Sequence, residues 1–122
     1  MKNKKLINSF KFAFKGIGSS IKSERNMKIH TTMMLLVIIS GIFFNIAMWE
    51  WITCSILFGL VISLEMINTA LEIVVDMVSP EYNMMAGRAK DIAAGAVLVN
   101  AIVAFIVGLL IFLPKVLDLF IK

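Results

Sequence analysis

Three long apolar stretches occupy most of the chain, and the polar residues that interrupt them recur at helical rather than strand spacing. The first, Met33 to Met48, is an uncharged run of 16 residues that extends backward through Ile29, His30, Thr31 and Thr32. That extension brings it to the roughly 20 residues a bilayer span requires and predicts a first span over 29–48. From Trp51 to Val78 there is no proline, and no charge before Glu65. A helix of this length would reach about 42 Å at 1.5 Å per residue, which exceeds a hydrocarbon core of about 30 Å. With Trp51 at one interface, the membrane is crossed near residue 70, so Glu65 and Asn68 lie just inside its boundary. Glu72 and Asp76 emerge into water. A third uncharged run, Ile92 to Leu113, ends at Pro114. Ahead of all three, Leu6, Ile7, Phe10, Phe14, Ile17 and Ile21 share one helical face, opposite Lys4, Lys11, Lys15 and Lys22. This pattern predicts a helix lying in the membrane interface, serving as an anchor or as the roof of a site that admits lipid from the side. The expected architecture is one all-α domain over 1–122. It has a basic surface segment at 1–28, spans at 29–48, 51–78 and 92–113, a loop at 79–91 and a tail at 114–122.

Composition fits only a small integral membrane protein. The 122 residues are 60% hydrophobic, with a mean hydropathy of +0.93. Ten of the twelve basic residues lie in 1–28 or 79–91, which predicts a cytoplasmic N-terminus and an external C-terminus in a plasma membrane. The net charge of +4 therefore points to anionic headgroups, and nucleic acid is not the expected partner. No segment reads as a cleaved signal peptide. The single Cys54 permits no intrachain disulfide and reads as a packing residue. Trp49 and Trp51 read as interface anchors at the external turn, and Asn100 as a residue bonding across a helix interface.

The feature with chemical content is a polar stripe. At about 100° per residue, Glu65, Asn68, Glu72 and Asp76 project within a sector of about 80° on an otherwise oily helix. Desolvating three carboxylates costs several kcal/mol each unless a cation, a proton or a hydrogen-bonding partner compensates. Carboxylate and carboxamide oxygens are the ligands magnesium prefers, with nucleotide and water completing its shell. Glu24, between the surface helix and the first span, can fold over the same mouth. Arg88 and Lys90, with Asp91 opening the third span, bring cations suited to a polyphosphate. A transport subunit would also place acids in a membrane, but usually near the midplane. Here the acids run out toward the cytoplasm. A purely structural helper would tolerate neutral replacement of Glu65 and Glu72.

The string Glu65-Met-Ile-Asn68-Thr69-Ala70-Leu-Glu72-Ile-Val-Val-Asp76, with Gly87-Arg88-Ala89-Lys90-Asp91 after it and Lys15-Gly16 and Ser23-Glu24-Arg25-Asn26 before it, resembles a known signature. It is that of the small bacterial membrane kinases that phosphorylate diacylglycerol or undecaprenol, and the resemblance covers about residues 5–113. It implies a homotrimer whose active sites are shared between neighbouring subunits, and ATP and Mg2+ as co-substrate and cofactor. By position it implies Glu65 as general base and Glu24 and Glu72 as holders of the metal on ATP. Lys15, Asn68, Lys90 and Asp91 fall among the nucleotide- and substrate-binding positions. There are departures. His30 stands where Gram-negative diacylglycerol kinases carry an acid, and Ala94 where some members carry a serine. The segment Glu24-Arg25-Asn26 with Lys28-Ile29-His30 is similar to the Gram-positive branch, which implies undecaprenol as the acceptor and leaves diacylglycerol as the alternative.

Overall fold

The computed structural model describes residues 2–121, which fold into four helices: α1 (Lys2–Ser23), α2 (Arg25–Phe44), α3 (Met48–Val78) and α4 (Met84–Ile121). The last three are each long and apolar enough to cross a membrane, and the protein is an all-helical, multi-pass membrane protein. One residue, Glu24, separates α1 from α2. Its extended backbone (φ −101°, ψ 121°) turns the chain while the Lys28 N–H still bonds its carbonyl at 3.2 Å.

The turn between α2 and α3 is set locally. Asn45 takes the left-handed conformation (φ 50°, ψ 56°), which asparagine tolerates better than most residues, and the Ile46 N–H returns to the Gly41 carbonyl at 3.1 Å. Glu50, in the first turn of α3, accepts the Ala47 N–H at 3.0 Å and so satisfies one of the donors a helix start leaves free. Gly41 permits a close approach here. A Cβ added to it would stand 2.5 Å from Cη2 of Trp51 and 2.8 Å from Cζ2. The half-buried Trp51 turns its ring inward onto α2, while Trp49 remains exposed.

Packing around Trp51 defines the core. Ile46, Cys54 and Ile111 are buried together, with Val37, Phe44, Phe58 and Phe112 against them. The packing role expected of Cys54 holds. This cluster lies at the end of the helices remote from the acid stripe. Elsewhere the protomer is thinly packed, and Leu35, Ile39, Phe43, Leu98 and Leu110 present apolar surface outward, as a chain solvated by lipid or by other protein does.

Helix ends depart from the expected spans in five places, two of them at the α2–α3 turn, where α2 ends at Phe44 instead of running to 48 and α3 begins at Met48 instead of 51. The first spanning helix begins at Arg25, four residues before Ile29. The fourth begins at Met84, inside the stretch expected as loop, because the Asn83 side chain caps it, accepting the Met85 N–H at 2.8 Å and the Ala86 N–H at 3.3 Å. It also runs through Pro114 to Ile121 instead of stopping there. Proline deletes one intrahelical donor, a loss that membrane helices tolerate where neighbouring groups hold the chain. Here Lys115 supplies the hold, donating to Glu50 Oε2 at 2.7 Å and to the Ile111 carbonyl at 3.0 Å.

Candidate active site

Helical periodicity alone aligns Glu65, Asn68, Glu72 and Asp76 on α3, and the tertiary structure then grades them. Glu65 is 1% exposed and Asn68 is 7% exposed; Glu72 is half-buried and Asp76 is exposed. The stripe thus runs from the protein interior to its surface. Its inner end is covered by α2 and its outer end is met by α4.

At the inner end, Nε2 of His30 approaches Oε2 of Glu65 at 3.8 Å, within ion-pair range and beyond hydrogen-bond range. That carboxylate oxygen is enclosed and has no hydrogen-bond partner. Midway, Asn68 Nδ2 donates to Glu72 Oε1 at 3.3 Å, while Asn68 Oδ1 is enclosed and unpartnered. At the outer end, Lys90 of α4 donates to Asp76 Oδ1. Lys90 precedes the uncharged run that opens at Ile92. The hydrogen bond it donates to Asp76 pushes its pKa above the ordinary lysine value; desolvation opposes this, and the charges of Asp76 and Glu72 add smaller upward pushes.

The remaining expected positions sit around this line. Glu24, at the α1–α2 junction, is half-buried and makes no capping bond, so its carboxylate is free for another partner. Lys15 lies on exposed α1 beside Gly18, Ser19, Lys22 and Ser23. Asp91 is exposed on the first turns of α4. Among the described residues, no three acidic, histidine or cysteine side chains gather as a metal cage. The donor set of Glu24 and Glu72 suits a metal that arrives with phosphate and water oxygens to complete its shell.

A hydrocarbon volume adjoins the inner end. A cavity of about 510 Å³ between α2, α3 and α4 is lined by His30, Met33, Val61, Phe105 and other apolar residues. Val61 stands one turn before Glu65 on the same helix. A second apolar cavity of about 490 Å³ lies where Ile17 and Ile21 of α1 meet α2 and α3. Glu65 itself does not line either cavity; His30 and Val61 stand between its helix turn and the larger one.

Three pairings are invisible to periodicity: His30 with Glu65 joins α2 to α3, Lys90 with Asp76 joins α4 to α3, and Glu50 with Lys115 joins the two helix ends at the far side. Asn100 Nδ2 is buried without a hydrogen-bond partner within this chain.

The fold defines a small membrane protein that carries a line of acids, with Lys90 at its outer end, at one end of its helices. Residues 11–112 match the family model described as prokaryotic diacylglycerol kinase. The chain is 42% identical over 107 residues to the undecaprenol kinase of Bacillus subtilis, covering 88% of this chain and 87% of that one. It is 40% identical over 115 residues to a diacylglycerol kinase of Synechocystis, covering 93% of this chain and 66% of that one. With the diacylglycerol kinase of Escherichia coli K12 it shares 30% identity over 105 residues, covering 84% of each. The chain belongs to the prokaryotic diacylglycerol kinase family and is a lipid kinase.

Proposed function

We propose that this protein transfers the γ-phosphoryl group of Mg-ATP to the hydroxyl of undecaprenol, giving undecaprenyl phosphate and ADP. The observation that carries the reading is Glu65, 1% exposed on the α3 stripe and adjoining an apolar cavity through His30 and Val61. In the proposed step the acceptor O–H bond breaks and Glu65 takes the proton. The freed oxygen bonds the γ-phosphorus in line as the bond to the β–γ bridging oxygen breaks, with no covalent phosphoenzyme. Glu24 and Glu72 would hold the magnesium, which neutralises phosphate charge when bound. Lys15, Asn68, Lys90 and Asp91 would contact nucleotide and substrate. Undecaprenol is chosen over diacylglycerol because the Bacillus subtilis relative of that name is 42% identical across most of both chains.

In this reading α1 lies in the interface, the N-terminus is cytoplasmic and the C-terminus external, since the basic residues cluster at 1–28 and 79–91. Three copies assemble, with active sites shared between neighbours. The broad apolar faces of the protomer and the unpartnered Asn68 Oδ1 and Asn100 Nδ2 support such contacts.

The test is label transfer from γ-labelled ATP in mixed micelles containing equal undecaprenol and diacylglycerol, with magnesium present and then chelated. Labelled undecaprenyl phosphate that disappears on chelation is the expected result. Predominant phosphatidic acid would replace the acceptor and keep the chemistry. A folded sample that labels neither lipid would overturn the reading.

A further inference from the structure

We infer that His30 is the positioning residue of Glu65: its imidazole holds the enclosed Oε2 oxygen and leaves the other carboxylate oxygen to meet the acceptor hydroxyl. The inference rests on the proposed role of Glu65 as the base.

Three observations carry it. Glu65 Oε2 is enclosed and lacks any hydrogen-bond partner, and a carboxylate in that state needs compensation. His30 Nε2, at 3.8 Å, is the one cation-capable group within ion-pair distance of it among the described residues. A shortening of about 1 Å makes this an ordinary hydrogen bond. His30 also lines the apolar cavity and retains 19% side-chain exposure, so it stands between the acid and the space for the hydrocarbon. A general base oriented by a second polar group is a recurrent catalytic arrangement, since a free carboxylate would spread its lone pairs over many directions. Among the described residues His30 has no other ion-pair partner. On α4 the cavity is bordered by Ala101, Ala104, Phe105 and Gly108, which carry no charge, and on α3 by Cys54, Leu57, Phe58 and Val61. On its own helix Arg25 and Lys28 are exposed, and no ion pair joins Glu24 to it.

The chain contains a single histidine, so one labelled side chain reports the pair directly. Ring-nitrogen NMR of histidine-labelled protein in micelles is compared for the wild type, Glu65→Gln and Asp76→Asn. The ring resonances are expected to move in Glu65→Gln and to stay in place in Asp76→Asn. Resonances that ignore Glu65→Gln would overturn the pairing, whatever that variant does to turnover. Loss of turnover in Glu65→Gln tests the base reading separately.

Kinetics of two variants test the consequence. His30→Phe fills similar space without a polar atom and is expected to lower kcat between about tenfold and about a hundredfold, with KM for ATP within about twofold. His30→Gln, which keeps a donor, is expected to recover part of that loss. A kcat for His30→Phe within twofold of the wild type, or a change confined to the KM for lipid, would reduce His30 to a wall of the cavity and overturn the inference. If His30→Phe fails to fold, His30→Leu takes its place under the same criterion, and unmoved ring resonances in Glu65→Gln overturn the inference by themselves.

Discussion

Replacing Glu65 with Gln exchanges one carboxylate oxygen for an amide group and leaves size and shape nearly unchanged. The site is 1% exposed, so shape matters, and an isosteric exchange opens no cavity. No hydrogen bond to the Glu65 carboxylate is lost, because its enclosed Oε2 has none. Stability should therefore change by less than about 1 kcal/mol, and removing a buried charge could even raise it. Catalysis is expected to behave differently. A positioned general base contributes about 10² to 10⁴ in rate, or about 2.7 to 5.4 kcal/mol of barrier at 1.36 kcal/mol per tenfold. The assay is steady-state transfer of labelled phosphate to undecaprenol in mixed micelles, run beside nucleotide binding and thermal unfolding of the same preparation. The expected outcome is kcat reduced by at least a hundredfold with nucleotide binding and melting temperature close to wild type. A variant that turns over within about threefold of the wild type would remove Glu65 as the base. One that unfolds would show that the carboxylate is structural.

Gly41→Ala should destabilise the protein by about 1 to 3 kcal/mol, because the new Cβ would meet the Trp51 ring at 2.5 Å and the rigid indole must shift; thermal unfolding in detergent checks this. Lys115→Met leaves Glu50, 6% exposed, without its cation and should cost about 1.5 to 3 kcal/mol, read by the same melt, with phosphate transfer at permissive temperature little changed. An unchanged melting temperature in either variant would refute the corresponding packing argument. On the proposed role of Glu72 as a holder of the metal, Glu72→Gln should raise the magnesium concentration for half-maximal velocity by about tenfold; a magnesium titration at fixed ATP measures it.

Helix content and the acid line were legible in the chain because both are set by local periodicity. Three uncharged runs are long enough to cross a bilayer, and the i, i+3, i+4 spacing from Glu65 to Asp76 places four polar groups on one face wherever the helix goes. Family membership was legible for a related reason, as the Glu65-to-Asp76 and Gly87-to-Asp91 strings carry the resemblance in residue order. Helix ends were less so. Pro114 signals a stop, yet the helix continues where Lys115 is held by Glu50, a partner 65 residues away in the chain. The start at Met84 was readable in principle from the Asn83 cap, a local signal outweighed by the charges that follow it.

What only the tertiary structure decided is which groups meet across helices. Periodicity gives each helix a polar or apolar face but not the rotation and depth at which α2 and α4 seat against α3, since that depends on side-chain packing such as Trp51 against Gly41. Seating α2 placed His30 beside Glu65, and seating α4 placed Lys90 on Asp76. The line of acids belongs to the sequence. The grading of that line from an enclosed carboxylate to an exposed one, and the apolar cavity adjoining its buried end, belong to the packing, because burial is a property of neighbours that no single helix carries.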